Sequence, residues 1–166
     1  MCMSKQTKTH IKKDVALNVF LNVVLNAGIS WMLLKGGETL IWGGDKGFVG
    51  DLLATAFLMP FIVTLIMIAV QRKKVRAGKR DAVALNTGAP LMSLLARFPR
   101  SLFKNGLLFG GAGMLILAPI TLLGLWIVGV ETFSPGTYSV FKGLWAGVIA
   151  GILVPMMILV GLRQGK

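Results

Sequence analysis

The sequence predicts an all-α integral membrane protein with four transmembrane helices, and three observations carry that prediction. Of 166 residues, 55% are apolar and 14% charged, where a soluble domain carries about a quarter charged residues. Four windows, 15–34, 49–71, 106–130 and 139–162, reach the roughly 20 apolar residues that a helix needs to cross a bilayer, and none has Lys, Arg or His in its central part. No window alternates with period two, so a closed barrel is excluded. Helices remain as the structure that satisfies its own backbone in hydrocarbon. The chain then divides into a basic tail (1–14), a first helical hairpin (15–71), a basic loop (72–105), a second hairpin (106–162) and a short tail (163–166).

The first window follows a basic leader, Lys5, Lys8, Lys12 and Lys13. The run is long for a signal peptide and ends in Trp-Met-Leu-Leu-Lys rather than a small-x-small site, so a retained helix is expected. Cys2 precedes this run. It can form no internal disulfide, and no paired-cysteine metal or redox spacing occurs. Within the window, Asn18, Asn22 and Asn26 recur every fourth residue, and Ser30 extends the series. On a helix such a series drifts about 40° per step and occupies one narrow face over about 12 Å. A lone amide facing lipid is costly. The stripe should therefore face other helices, bonding across them at roughly 0.6–2 kcal/mol each, or line a polar path. The aligned positions of the third window are Phe109, Gly113 and Leu117, so the stripe is not repeated.

The second window opens with Asp51 between Gly50 and Thr55. A carboxylate there suits a helix N-terminus as cap and dipole partner, or stands at an outer mouth and attracts a cation. Pro60, Pro119 and Pro155 lie inside windows two, three and four. Each removes a backbone hydrogen bond and is expected to kink its helix. In the basic loop, Leu91, Leu94, Leu95 and Phe98 fall at i, i+3, i+4 and i+7 between Pro90 and Pro99. That spacing predicts a short amphipathic helix, about 90–98, lying on the membrane surface.

The fourth window carries Gly143, Gly147 and Gly151, with Ala146 and Ala150 beside them; the third has a shorter series, Gly106 and Gly110. Missing side chains let another backbone come close. The pattern leaves open whether the partner helix lies in the same chain, a second copy or another protein; the expectation is an oligomer or docking with another membrane protein.

An internal repeat is also visible. Ala27-Gly28-Ile29-Ser30 matches Ala118-Pro119-Ile120-Thr121. Glu38-Thr39-Leu40 matches Glu131-Thr132-Phe133, and Leu58-Met59-Pro60 matches Leu153-Val154-Pro155. Three matches in order at near-constant offset predict a duplicated hairpin in parallel orientation.

Fifteen of the eighteen Lys and Arg residues fall on the side of both termini and the long loop; Lys35, Lys46 and Lys142 fall on the other. The positive-inside rule then predicts cytoplasmic termini in a bacterial-type inner membrane. Trp31, Trp42, Trp126 and Trp145, with Tyr138 and Phe141, would form an outer aromatic belt. The net charge of +12 belongs to flanks that meet anionic headgroups, not to nucleic-acid binding.

The chemistry of an enzyme is missing. His10, the single histidine, lies in the tail, and no phosphate-binding glycine loop or cofactor motif occurs. No cofactor or metal is expected. No ionisable group of the kind that drives proton-coupled transport is expected at mid-membrane. The reading is a small oligomeric transporter or permeation module for a small solute, with the asparagines lining the path and Asp51 at its mouth. The alternative is a non-catalytic membrane subunit that scaffolds or regulates a partner.

Overall fold

A computed structural model describes residues 5–45, 47–83, 85 and 90–163. Cys2, Lys46, residues 86–88 and Lys166 lie outside them. The protein is mostly helical. In order come α1 (Lys5–Leu34), β1 (Leu40–Ile41), α2 (Phe48–Arg76), α3 (Pro90–Ala96), α4 (Leu102–Ala112), a π turn (Gly113–Leu117), α5 (Ala118–Ile127), β2 (Thr132–Phe133) and α6 (Pro135–Leu162). Helix α4, the π turn and α5 run on as one span. With α1, α2 and α6 this makes four helices long and apolar enough to cross a membrane.

Each helix starts before its apolar window, though the third span stops at Ile127, short of the expected 130, where Gly129 turns to φ 76°. α1 begins at Lys5, because Ile11 and Val15, one turn apart, pack on the core and carry the lysine-rich segment with them. α2 continues to Arg76. It stops where Gly78 turns to φ 66°, a conformation glycine adopts without steric cost, and Lys79 N–H returns to the Lys74 carbonyl. α6 starts four residues early, at the Ser134-Pro135 pair. Ser134 Oγ accepts from Thr137 N–H at 3.2 Å, and proline takes the first helical position, where no donor is needed. Ser101 caps α4 in the same way.

The packing does not follow the hairpins. α1 lies along α6, while α2 lies between α4 and α6. α1 and α2 meet mainly through polar side chains at the end that carries Asp14 and Gln71. The connection at 35–47 is long enough to separate consecutive helices, so the expected hairpins are not the packing units. At the opposite end, β1 and β2 pair antiparallel, with Leu40 opposite Phe133 and Ile41 opposite Thr132.

The basic loop is held to the bundle. Val83 N–H donates to the Leu162 carbonyl at 2.7 Å, and Val83 and Leu85 are buried. The predicted surface helix ends at Ala96, short of Phe98, and its four apolar residues do not share one fate. Leu95 is buried, while Leu91 and Leu94 are exposed.

The aromatic belt also differs. Trp31 and Trp126 are exposed, but Trp145 is buried and donates to Thr121 Oγ1 at 2.8 Å. Trp42, Phe48, Phe133, Tyr138 and Phe141 stack into one cluster under the β pair.

Candidate functional site

The polar centre lies where α1, α2 and α6 meet beneath the β1–β2 end. Asp51 is the fourth residue of α2, whose positive N-terminal dipole favours a carboxylate. It does not cap the helix. Gly47 occupies the cap position without a side-chain bond. Asp51 instead reaches across to α6. Lys142 Nζ donates to both carboxylate oxygens at 2.7 Å, and the Tyr138 hydroxyl donates to Oδ2.

The pair is unequally solvated: the Lys142 side chain is 11% exposed and that of Asp51 43%. An ammonium this deep in an apolar helix is stable only beside its counter-ion. Tyr138 and Lys142 are four apart on one face of α6, and Tyr138 is locked by Phe48 and Phe133 around it. Ser139 donates to the Pro135 carbonyl at 2.8 Å and lies 3.3 Å from Ser30 Oγ, tying α6 to α1.

Over this pair opens a cavity of about 510 Å³, lined among others by Ser30, Glu38, Asp45, Asp51, Tyr138 and Lys142. Among the described residues its three carboxylates outnumber its one ammonium. Ligand pockets span about 300–1,000 Å³, so the space suits a small molecule.

Ser30 alone of the polar stripe reaches this cavity. Each asparagine amide is spent inside α1: Asn18 donates to the Asp14 carbonyl, Asn22 to Asn18 and Asn26 to Asn22, at 2.8–2.9 Å. Asn18 also donates to Met67 Sδ of α2 at 3.4 Å, a bond across helices. Back-bonding to the preceding turn satisfies an amide without a partner helix. For Asn22 and Asn26 the four-residue spacing is thus satisfied one turn back, without a partner helix.

The glycine faces are filled from within the chain. A Cβ on Gly143 would meet Ala27 Cβ at 2.6 Å and the Val23 carbonyl oxygen at 2.8 Å; one on Gly147 would meet Val23 Cγ2 at 2.4 Å. Gly151 is looser, with Val19 Cγ2 at 3.6 Å. Gly106 and Gly110 face Phe61 and Phe57 of α2. The tightest approach is at Gly113, where a Cβ would lie 2.0 Å from the Ala56 carbonyl oxygen. That carbonyl sits four residues before Pro60, which has no N–H to offer it. One bond length back from the absent Cβ, the Gly113 Cα lies within about 3.5 Å of the oxygen, the range of a Cα–H···O contact.

Pro60 is buried, Pro155 half-buried and Pro119 exposed. The irregularity before Pro119 takes the form of the π turn, and Thr121 Oγ1 donates to the Leu117 carbonyl at 2.9 Å.

Lys142 and Tyr138 are the members of the site that sequence reasoning passed over. Lys142 was read as a residue of the outer flank that sets topology. The available signal was a basic residue inside a spanning helix on the same side as Asp51, since intramembrane charges occur in pairs. Among the described residues, no cluster of His, Cys, Asp and Glu could hold a metal ion. The chain matches no protein-family model, no curated protein and no solved structure.

Proposed function

We propose that the protein is a membrane permeation or transport module for a small solute, and that the solute carries a cationic group. The cavity over the Asp51–Lys142 pair supports this reading. Asp51 is open to the cavity while its lysine partner is nearly buried. An entering ammonium or guanidinium can therefore compete for the carboxylate from the cavity side, with Asp45 adding to the attraction near the rim. The positive-inside count puts this cavity on the outer face. Asn18, Asn22 and Asn26 have no part in the binding step.

The alternative of a scaffolding or regulatory subunit rests on the glycine faces and the basic loop, and the expectation of an oligomer on the glycine faces; α1 and α2 already fill those faces. We also propose that the bundle is a duplicated unit. In support, Leu40 and Phe133, equivalent in the two repeats, sit opposite each other. The contacts α1 with α6 and α4 with α2 are what a two-fold axis through that pair would exchange.

Uptake of guanidinium, choline and putrescine into proteoliposomes tests the transport reading. At least one should enter, and Asp51→Asn should cut the rate at least tenfold. Asp45→Asn, a change at an exposed position, should weaken uptake without loss of folding. Wild-type protein that moves none of the three removes the proposal.

A further inference from the structure

At the opposite end of the bundle lies a second cavity, of about 350 Å³, between the C-terminal ends of α2 and α6 and the segment before α4. Arg72, Arg76, Arg100 and Arg163 line it, with Val75 and Val160 as apolar wall, and among the described residues no acidic one contributes to it. Two of the guanidinium groups are held in place by carbonyls. Arg72 Nη1 donates to the Arg100 carbonyl at 2.8 Å, and Arg163 Nη1 to those of Ala96 and Phe98 at 2.9 and 2.7 Å. Arg163, Arg76 and Arg100 all repel Arg72.

The nearby acid is engaged elsewhere: Asp14 takes Arg80 at 3.0 Å and Lys74 at 3.5 Å. Among the described residues Arg72, Arg76 and Arg163 have no ion pair. Two helix C-termini bring about half a negative charge each. The three guanidinium charges without an ion pair therefore keep a surplus of about two.

From this geometry we infer that the cavity is a binding site for a phosphate group, and that its source is the headgroup of an anionic phospholipid. Like charges gathered around a concave space at a cost in repulsion are stabilised by an anion, and guanidinium forks match phosphate oxygens two at a time. The site sits at the ends of membrane-length helices, where headgroups lie. Val75 and Val160 offer the start of an acyl chain an apolar wall. Basic pockets between helix ends bind lipid phosphates on this principle. The inference is independent of the cavity at the other end.

The test is native mass spectrometry of the full chain titrated with phosphatidylglycerol and, separately, phosphatidylcholine. One phosphatidylglycerol should bind at least tenfold more tightly than phosphatidylcholine. Arg76→Gln, which removes a side chain with no hydrogen bond among the described residues, should weaken it at least fivefold. Arg72→Gln should do more. Lys79→Gln, an equal loss of charge outside the cavity, should change it less than twofold. Competition by millimolar inorganic phosphate decides the source: no displacement supports the lipid, and full displacement supports a soluble phosphate compound at the same arginines. Equal weakening by Lys79→Gln, or no preference for phosphatidylglycerol, overturns the site.

Discussion

Helix α1 packs against α6 and helix α4 against α2, and the two contacts place their glycines on opposite partners, the central helix in one and the outer helix in the other. In the first, the long central helix α6 carries Gly143, Gly147 and Gly151, and α1 supplies Val19, Val23 and Ala27. In the second, the outer helix carries Gly106, Gly110 and Gly113, and central α2 supplies Phe57, Phe61 and the Ala56 carbonyl. A close crossing requires a missing side chain on one partner only. A glycine stripe thus marks where a backbone is approached, and does not say which helix approaches. The two contacts differ in what fills the gap. Mostly branched side chains fill the first, and the second adds a carbonyl that proline has released.

That difference predicts a graded response to the same small change. Gly113→Ala drives a methyl into backbone that cannot yield. It should cost about 3 kcal/mol, the upper range for overpacking, read from unfolding in mixed micelles. A loss under about 1 kcal/mol would mean that the Ala56 carbonyl is not where the contact puts it. Gly143→Ala meets a carbonyl and a methyl at looser distances and should cost about 1–2 kcal/mol by the same measurement. Asn22→Leu should change stability by less than about 1 kcal/mol, since the amide it removes bonds only to its own helix. A larger loss would restore the stripe as a cross-helix contact. Gly151→Ala should reverse the sign. The new methyl meets Val19 at ordinary contact distance, and alanine gains up to about 1 kcal/mol of helix propensity. A raised unfolding midpoint is the expected result.

The same contrast shows how much was legible. The spanning segments could be read because their signal, apolar length without charge, is a property of consecutive residues. The glycine positions could be read as close-approach sites for the same reason. Their partner could not, because α1 is more than a hundred residues from α6 in the chain and nothing in either helix names the other. In the sequence, Gly113 stands out only as a break in the asparagine alignment. Its meaning depends on Pro60 in a different helix. The asparagines show the converse failure. Their spacing is unusual for an apolar helix and invites a partner, yet four residues is also the distance from an amide to the carbonyl one turn back, and the local bond prevailed.

By itself, then, the sequence determined the solvent of this protein: four helices of membrane length, a concentration of basic residues at one end, and turns set by Gly78, Ser101 and the Ser134-Pro135 pair. These follow from transfer free energy and local backbone chemistry, which act over a few neighbouring residues. Only the tertiary structure decided that consecutive helices separate and cross-pair, that Asp51 serves Lys142 and Tyr138 rather than its own helix end, and that four arginines from three segments converge on one cavity. Such choices depend on which surfaces fit at close range, and on where a charge finds its counter-ion once water has been removed.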